Sequence, residues 1–496
     1  METRTGTSFM DLVKAHAKTV IIVIALLFLF GFKFVTPFSG LNALSMEIIG
    51  IFIGAMLLWL FVSITWPSLL VMIALMLTRI YTFNQVLAGS MGAWVLSFVL
   101  FSTALCHVLR EVGFFKRLAI WFLTRKIVSK NAWTFVGMLG LAAIIVGSFM
   151  AQLTIFIILV PIVVAIFEEL DYEKGDRAPM LIMIGLLMFT TYANFTTPIG
   201  KVMPIMAMTL YTRFTGGLEI SIFNYMLVGI PLTVVVFVVT MLFLKLTFKA
   251  DFSKLENIDT EFLKKDIEPM SRKEKISALV FAVVIFLWLA PGVLEPITFL
   301  QPILQVIAKM GAPTPPMIGI IVLCIIKDEG EPIVDVEKLL REGVTWSVIL
   351  IIAATAILGD ALTNAEAGIP DWIGGHLSPI LSQLPPIICV LLILTVAIVM
   401  TNFVSDMVTV MLLASISLPM IISGAVPGIN AAALAYLIGQ ASTIGPATAV
   451  GGASSAIASG NGYLSPSKMF SWGMVLSLLC ALLLTFIGYP LANALM

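Results

Sequence analysis

Residues 196–201 read Thr-Thr-Pro-Ile-Gly-Lys, and residues 448–455 read Thr-Ala-Val-Gly-Gly-Ala-Ser-Ser. Each stretch interrupts a long apolar segment, the first within residues 181–211 and the second within residues 431–461. Threonine, proline and glycine at these places predict that a helix unwinds in the middle of each segment. Non-helical backbone at membrane depth is tolerated only where it is buried in protein or lines a watery cavity. The two breaks therefore predict a binding site.

The rest of the chain is strongly apolar. Of its 496 residues, 60% are hydrophobic and 11% are charged, and the mean hydropathy is +1.09. Soluble domains have roughly 45–50% apolar and about 25% charged residues, so only lipid can solvate this surface. Nine further apolar runs predict helices at residues 19–35, 46–65, 67–78, 93–109, 223–248, 276–294, 317–326, 346–362 and 472–495. With the two interrupted segments they predict an all-α polytopic membrane protein of about eleven transmembrane helices.

Two more segments predict re-entrant hairpins. Residues 132–170 and 385–422 are mostly apolar, and each has polar residues at its centre. These central residues are Ser148 and Gln152 in the first segment, and Asn402, Ser405 and Asp406 in the second. Polar side chains at mid-membrane are costly on a lipid-facing helix. We therefore expect each segment to turn back at its centre and to place the tip inside the protein.

The two halves of the chain contain an internal repeat. Three pairs of landmarks align: residues 87–94 with 339–346, residues 147–152 with 401–406, and residues 197–200 with 448–451. An odd number of membrane crossings separates the halves, which makes them inverted. Inverted repeats with paired broken helices are typical of secondary transporters, whose sites lie near the membrane midplane.

The repeat and the basic residues predict domain limits and an orientation. We expect an N-terminal segment with the first helix at 1–45, a first repeat at 46–249, a cytoplasmic linker at 250–275 and a second repeat at 276–496. With the N-terminus inside, five of the 28 Lys and Arg residues lie elsewhere than on the inner side: Lys33, Arg79, Lys201, Arg213 and Lys309. The positive-inside rule thus predicts a plasma (inner) membrane protein with a cytoplasmic N-terminus and an outside C-terminus.

Two motifs resemble those of a known family. Residues 450–464 read Val-Gly-Gly-Ala-Ser-Ser-Ala-Ile-Ala-Ser-Gly-Asn-Gly-Tyr-Leu, and residues 112–117 read Val-Gly-Phe-Phe-Lys-Arg. The first is similar to the Gly-Thr-Pro-Pro-Asn-Ala-Ile-Val segment of the divalent-anion:sodium symporters, which carry dicarboxylates, tricarboxylates and sulfate. The order and spacing of hairpins and breaks agree over nearly the whole chain. The resemblance implies a homodimer with a fixed scaffold and a transport domain that slides as an elevator.

The chain departs from that family at the hairpin tips. Family members carry Ser-Asn-Thr at both tips, where these residues help to bind substrate carboxylates and two sodium ions. The aligned triplets here are Ala-Gln-Leu at 151–153 and Ser-Asp-Met at 405–407. The two Pro-Pro-Asn turns are replaced by residues 201–204 and 452–455. The identity of the substrate and of the coupling ion is therefore not carried over from the family.

Polar residues at the tips and breaks are the candidate site residues. Free amides at a helix N-terminus suit an anion, and unwound carbonyls suit a small cation. Candidates for substrate binding are Gln152, Thr154, Thr197, Lys201, Ser405, Asp406, Thr409, Ser454 and Ser455. Candidates for ion coupling are Ser148, Gly200, Asn402, Asp406, Thr448 and Gly451, with a sodium ion expected near the last three if one binds. A hydroxyl bonded to its own helix is the alternative interpretation for each.

Lys201 and Asp406 are the most informative candidates. An ionisable side chain at membrane depth is costly and indicates a functional role by default. The two residues lie in opposite repeats, so we expect them to approach each other or the bound ligand. Lys201 would supply a fixed positive charge where a family member holds sodium, and Asp406 would retain a second sodium ion or carry a coupled proton. The alternative is that Lys201 reaches an interface and Asp406 forms a structural pair.

Together these patterns predict a secondary active transporter of a small, dicarboxylate-like anion. It would work by elevator-type alternating access, with sodium or proton coupling or by exchange. A channel or passive facilitator for a small solute is the alternative. The sequence shows no metal cluster, nucleophile–base pair or phosphate-binding loop, so we expect no enzyme activity and no cofactor other than sodium. The formal net charge of +0 argues against nucleic acid as a partner, because phosphate binding needs a basic face.

Overall fold

The computed structural model describes residues 9–247, 251–255, 268–294, 296–381 and 383–496. Nearly all of the regular structure in these ranges is helical. The α-helices are α1 Phe9–Leu26, α2 Ala43–Phe61, α3 Thr65–Met76, α4 Phe83–Gly89, α5 Trp94–Glu111, α6 Phe114–Leu123, α7 Ala132–Gly147, α8 Gln152–Glu169, α9 Arg177–Thr196, α10 Val202–Phe214, α11 Ile222–Thr247, α12 Arg272–Val293, α13 Gln301–Met310, α14 Thr314–Ile325, α15 Val336–Glu342, α16 Trp346–Leu362, α17 Ile369–Leu381, α18 Pro386–Phe403, α19 Asp406–Ile422, α20 Ala431–Ala441, α21 Ala453–Gly460, α22 Pro466–Leu483 and α23 Tyr489–Leu495. A two-stranded antiparallel ribbon pairs β1 Lys327–Asp328 with β2 Glu331–Pro332.

Short irregular helices complete the secondary structure. π-helical turns lie at Leu27–Gly31 and Leu484–Gly488. 3-10 turns lie at Phe32–Phe34, Val128–Lys130, Ser253–Leu255, Thr298–Leu300 and Ala449–Gly451. The π-turn at Leu484–Gly488 joins α22 to α23 without interruption, so they form one span of 30 residues.

The expected membrane class is confirmed. By length and composition, eight helices within the described ranges can cross a membrane, and the number rises to ten if each of two bent pairs counts as one span. The bent pairs are α13–α14, with an angle of 87°, and α15–α16, with an angle of 74°. Four shorter apolar helices, α3, α7, α19 and α20, accompany these spans. The chain is an all-α polytopic membrane protein.

Both predicted hairpins are present. α7 and α8 form the first hairpin, and α18 and α19 form the second. A capping box between Asn131 and Thr134 fixes the start of α7, because the cap satisfies amides that have no partner within a helix. Pro386 is the first residue of α18, a position where proline costs no hydrogen bond. The hairpins turn at residues 148–151 and 404–405.

Both predicted breaks are also present. α9 ends at Thr196 and α10 begins at Val202, so residues 197–201 are not helical. α20 ends at Ala441 and α21 begins at Ala453, and the interval between them contains only the 3-10 turn at Ala449–Gly451. The second break is the longer of the two. Side-chain hydrogen bonds connect each break to a hairpin tip.

Helix packing divides the membrane part into two bundles. The hairpin bundle comprises α7–α11 and α18–α23, in which α9 packs on α7, α8 and α11, and α10 packs on α19 and α20. The flanking bundle comprises α1–α5 and α12–α16, in which α3 packs on α16, and α14 packs on α5 and α12. Between the bundles, the largest contact is made by α10 and α16. The hairpin bundle therefore contains both breaks and both tips.

Polar contacts join segments that the sequence assigns to the cytoplasmic side. Lys254 Nζ donates a hydrogen bond of 2.6 Å to the backbone oxygen of Asp171, and Phe252 packs edge-on against Trp133 with ring centroids 5.1 Å apart. These contacts hold residues 251–255 against the first hairpin. The predicted linker at 250–275 otherwise lies largely outside the described residues, and its last part already belongs to α12, which Ser271 caps. The predicted domain limits remain predictions.

Candidate functional site

The first hairpin tip is hydrogen-bonded to the first break. Residues 148–151 connect α7 to α8. The hydroxyl of Thr197, the first residue after α9, donates to the backbone oxygen of Ser148. Thr196 Oγ1 donates to Ser148 Oγ over 2.5 Å. These bonds hold the unwound chain against the tip of its own hairpin.

The second hairpin tip is joined to the second break in the same way. Residues 404–405 connect α18 to α19. The Thr448 hydroxyl donates to the backbone oxygen of Asn402. Asn402 Oδ1 accepts a hydrogen bond from the amide of Ala447 over 2.7 Å. Thr448 Oγ1 also accepts from the amide of Gly451 over 3.2 Å, which tightens the turn that follows.

The two sets of bonds correspond position by position. The alignment of the halves pairs Ser148 with Asn402 and Thr197 with Thr448. In each half, the threonine hydroxyl donates to the backbone oxygen of the residue at the hairpin tip. Carbonyl groups in the last turn of a helix lack a partner within that helix, and the threonine supplies one. The aligned landmarks thus have equivalent structural roles.

Lys201 and Asp406 form a salt bridge between the halves. Lys201 Nζ lies 3.1 Å from Asp406 Oδ2 and 3.5 Å from the backbone oxygen of Thr443. Asp406 Oδ1 accepts a hydrogen bond from the Thr401 hydroxyl. The two charged side chains are 14% and 13% exposed. An isolated charge at such burial costs several kcal/mol in lost hydration, so each side chain compensates the other and the pair carries no net charge.

A cavity of about 370 Å³ lies beside this salt bridge. Its volume lies in the range of small-molecule sites, and its walls come from both hairpins and both breaks. The predicted site residues that line it are Gln152, Gly200, Lys201, Asp406, Gly451, Ser454 and Ser455. Gln152 Nε2 donates to Thr191 Oγ1 over 2.8 Å, and Ser455 Oγ donates to the Gly445 backbone oxygen over 2.9 Å. Val348 of α16 is the contribution of the flanking bundle.

A second cavity, of about 190 Å³, adjoins the first at Gly200, Lys201 and Val202. Thr154 lines this second cavity, which we call the vestibule. The vestibule is also lined by a polar cluster on α5 and α15 that contains His107, Arg110 and Glu342. Arg110 Nη2 lies 2.5 Å from His107 Nδ1, so a guanidinium group stands beside the imidazole. This arrangement opposes a metal cation at His107, although Glu111 and Glu342 lie close by.

The other predicted site residues line neither cavity: Ser148, Thr197, Asn402, Ser405, Thr409 and Thr448. Four of them form the bonds between tips and breaks. The Thr409 hydroxyl donates to the backbone oxygen of Ser405 in its own helix over 3.1 Å, which was the alternative interpretation for every hydroxyl. Their predicted roles in binding or coupling stay predictions.

Oxygen atoms converge at both breaks. A β-carbon built on Gly200 would lie 2.7 Å from the backbone oxygen of Met150 and 3.3 Å from Asn194 Oδ1. A β-carbon built on Gly445 would lie 2.7 Å from the backbone oxygen of Gly451. Asn194 Oδ1 is buried and has no hydrogen-bond partner among the described residues. Backbone and amide oxygens are the ligand type that a sodium ion takes, so the residues around each break offer donors of the right chemistry.

A buried polar network behind the breaks was not predicted from the sequence. Tyr225 of α11 donates to the backbone oxygen of Asn194 over 2.7 Å and accepts from Gln440 Nε2 over 2.6 Å. Tyr436 donates to the backbone oxygen of Phe195 over 3.1 Å. The network ties α9 to α11 and α20, and it thereby connects the two breaks. Gln440 is a polar residue inside an apolar run, and this feature of the sequence could have indicated a buried polar network.

The fold and the site define a class of membrane protein in which paired hairpins and broken helices enclose a polar cavity. Comparison with known proteins gives the family. The model of the citrate transporter family (CitMHS) matches residues 56–439, which is more than half of the chain. The chain belongs to this family. Membership in a family of transporters confirms the expectation that the chain is not an enzyme.

The relatives agree with the resemblance noted in the sequence. The sodium-dependent dicarboxylate transporter SdcS of Staphylococcus saprophyticus is 24% identical over 364 residues, which cover 69% of this chain and 66% of the relative. The match therefore spans slightly less than two thirds of that protein's length. An uncharacterized transporter of Methanocaldococcus jannaschii is 24% identical over 345 residues, with coverage of 70% and 71%. The low identity makes the chain a divergent member of the citrate transporter family.

The fold is also similar to that of a solved structure. The Alcanivorax borkumensis YdaH transporter superposes with a TM-score of 0.55 at 13% sequence identity. The superposition covers 83% of this chain and 89% of that one. At this identity the similarity concerns the fold alone.

Proposed function

We propose that the protein is a secondary active transporter of a small, dicarboxylate-like anion. The observation that carries the proposal is the cavity between the two hairpin tips, where Lys201 stands at the start of α10 and forms a salt bridge with Asp406 across the halves. Substrate sites of secondary transporters lie where repeats with broken helices meet. The family and the name of the SdcS relative support a carboxylate as cargo.

The start points of the helices around the cavity favour a negative cargo. α8 begins at Gln152 and α19 begins at Asp406, and both residues line the cavity. α10 begins immediately after Lys201. The first amides of a helix have no partner within the helix, and the helix dipole adds partial positive charge there. An anion in the cavity would accept hydrogen bonds from these amides and from the Lys201 ammonium group.

Competition for Lys201 provides a mechanism for binding and release. A carboxylate of the cargo would displace Asp406 from Lys201 and take over its charge-assisted hydrogen bond. The displaced Asp406 carboxylate would then need a proton or a cation, because an unpaired charge is unfavourable at this depth. Coupling to protons, coupling to sodium and exchange of one anion for another each satisfy this need. The converging oxygens at Gly200 and at Gly445 are the candidate sodium positions.

Alternating access would come from movement of the hairpin bundle against the flanking bundle. The site residues belong to the hairpin bundle, whereas the flanking bundle contributes Val348 and part of the vestibule. A sliding, elevator-type displacement would carry the cavity across the membrane without rebuilding it. A homodimer held by the flanking bundle is the assembly that the family resemblance implies.

We also propose insertion in the cytoplasmic membrane with the N-terminus inside and the C-terminus outside. The segments that are predicted to be cytoplasmic contact one another: Arg117 Nε lies 2.6 Å from Glu274 Oε1, and Arg272 Nη1 lies 3.8 Å from Asp328 Oδ1. On the opposite side, Arg79 Nη2 lies 3.7 Å from the Glu366 carboxylate. The basic residues are concentrated on the first side, in accord with the positive-inside rule. Accessibility of tags at the two termini in spheroplasts tests the orientation.

Uptake into proteoliposomes tests the function. Purified protein should take up radiolabelled succinate or citrate with saturation, and uptake should rise with an inward sodium gradient, an inward proton gradient or preloaded unlabelled anion. Lys201→Gln and Asp406→Asn should each lower uptake at least about tenfold, which corresponds to the loss of one charge-assisted contact. Lys309→Gln and Asp371→Asn are matched controls at exposed positions and should leave uptake unchanged.

Two results would contradict the proposal. Uptake that stays undiminished in both Lys201→Gln and Asp406→Asn would show that the salt bridge is structural. Flux that neither saturates nor responds to any gradient would indicate a passive facilitator instead. Expression and monodispersity of each variant in detergent must match the parent protein, so that a loss of uptake is not a loss of folding.

A further inference from the structure

α10 and α16 pack against each other and begin beside the same cavity. At their N-terminal ends, Val202 of α10 and Val348 of α16 face each other across the vestibule. At their C-terminal ends the helices meet: a β-carbon built on Gly359 of α16 would lie 2.8 Å from Leu210 Cδ2 of α10. Both helices begin beside the vestibule and run away from it. The vestibule therefore lies at the N-terminal ends of this helix pair, on the side that carries His107, and side-chain contact fills the C-terminal ends.

A salt bridge fastens the closed end. Arg213 Nη1 in the last turn of α10 lies 3.0 Å from Asp360 Oδ2 of α16, and the two side chains are 25% and 27% exposed. Arg213 Nη2 donates a hydrogen bond of 2.7 Å to the backbone oxygen of Gly89 at the end of α4. One guanidinium group of the hairpin bundle thus binds two elements of the flanking bundle. The planar fork of arginine suits such a double contact.

A further cavity lies beside this salt bridge. It measures about 320 Å³ and is lined by Ala88, Thr209, Thr212 and Arg213, among others. The vestibule is lined by the first turns of α10, and this cavity is lined by its last turns together with residues of α4 and α5. The two cavities therefore lie at opposite ends of α10.

We infer that Arg213, Asp360 and the Gly89 carbonyl form a lock that holds the carrier open toward the His107 side. The inference rests on the alternating access proposed above. In the opposite state the hairpin bundle has slid along the flanking bundle, so Arg213 lies away from Asp360 and both charged groups are hydrated. The same displacement carries Val202 away from Val348 and closes the vestibule. The lock sets the ratio of the two states, because it contributes to one of them alone.

The local packing suits a contact that breaks and forms again. Gly359 and Gly89 place backbone directly against the facing side chains, so few side chains must change rotamer when the helices separate. Both charged groups are already partly hydrated, which lowers the penalty of separating them relative to a fully buried pair. A fully apolar contact of the same size would gain no such hydration when the helices separate.

Thiol labelling at two reporter positions tests the lock without any substrate. The four native cysteines are replaced by serine, and one reporter is introduced per protein: Val348→Cys in the vestibule or Thr212→Cys in the opposite cavity. We expect Asp360→Asn to lower the maleimide labelling rate at position 348 and to raise it at position 212, each at least about fivefold. The exchanged pair Arg213→Asp with Asp360→Arg should restore both rates in part, because the salt bridge forms again while the hydrogen bond to the Gly89 carbonyl is lost.

Glu366→Gln is the matched control. It removes an exposed salt bridge, with Arg79, on the same side of the protein but within the flanking bundle, and both labelling rates should stay at the parent value. Unchanged rates in Asp360→Asn would overturn the inference, as would a parallel rise at both reporters, which signals general loosening. Absence of any restoration by the exchanged pair would also overturn it. Since no cargo is used, a negative uptake experiment with succinate and citrate leaves this test unaffected.

Discussion

Gly200 is the position where a single methyl group tests the geometry of the first break. The β-carbon of Gly200→Ala would lie 2.7 Å from the backbone oxygen of Met150 and 3.0 Å from that of Gly147. The contact with Met150 is shorter than a carbon and an oxygen tolerate, the contact with Gly147 is tight, and both partners are backbone atoms that cannot rotate away. Overpacking of this kind costs about 1–3 kcal/mol. The reduced freedom of the unfolded chain returns about 0.4–1 kcal/mol, so the net loss is roughly 1–2 kcal/mol.

The assay compares this variant with a matched substitution in the same hairpin. A β-carbon on Gly137 in α7 would meet only Met241 Cε at 3.8 Å, which is an ordinary contact. Gly137→Ala should therefore gain about 1 kcal/mol from helix propensity. Tryptophan fluorescence during heating in detergent should place the Tm of Gly200→Ala about 1–2 °C below the parent protein, because the entropy of unfolding scales with chain length, and that of Gly137→Ala at or above it.

The outcome for transport follows from the same contacts. Displacement of residues 147–150 by the new methyl group moves the hairpin tip away from the break, so uptake of succinate or citrate should fall together with stability. The reasoning fails if Gly200→Ala melts at or above the temperature of Gly137→Ala, because the tip and the break would then not be in contact. Normal uptake by Gly200→Ala would lead to the same conclusion.

Three further predictions concern single polar contacts. Glu274→Ala removes a carboxylate that is 3% exposed and accepts two hydrogen bonds from Arg117, which is itself 27% exposed; thermal unfolding should show a loss of about 1.5–3 kcal/mol. Thr448→Val leaves the Asn402 carbonyl without its donor, which should cost about 1–3 kcal/mol and lower uptake. Tyr225→Phe removes a hydroxyl with two partners and should cost about 1–3 kcal/mol in the same measurement.

Each of these variants has a control of the same chemistry. Lys338→Gln breaks a pair that is 60% and 47% exposed and should change stability by less than about 1 kcal/mol. Thr124→Val removes a hydroxyl that is bonded only within its own helix turn over 2.9 Å. Tyr172→Phe removes a buried hydroxyl that has no hydrogen-bond partner among the described residues. If a control loses as much stability as its counterpart, the contact in question does not explain the loss.

The main landmarks of the fold were predictable because a membrane makes polar residues conspicuous. Gly200 and Gly451 interrupt apolar runs, and both helices are broken there. Lys201 and Asp406 were conspicuous for the same reason, and they form the expected contact. A charged residue at mid-membrane has few possible partners, so a pairing across the halves could be inferred from two positions in the sequence.

Other contacts could not be predicted in this way. Asp360 lies near the end of an apolar run, where a polar residue usually has a structural role. Arg213 was assigned to an outer loop. Their salt bridge joins positions 147 apart and depends on how two helices cross. Helices that are apolar on all sides have no hydrophobic periodicity, so their sequence does not predict which faces pack against each other. The polar network around Tyr225 escaped prediction for the same reason.

In the proposed transport cycle, the salt bridge between Lys201 and Asp406 affects the step in which the site returns across the membrane without cargo. Moving a bare ammonium group through the middle of a bilayer is costly, and a carrier that held one would be obliged to wait for new cargo on each side. With its own carboxylate at 3.1 Å, the ammonium group is neutralised, and in the proposed cycle the site could return without cargo. In the proposed cycle this internal counter-ion permits net accumulation of the anion, whereas a carrier without it would be restricted to swapping one anion for another.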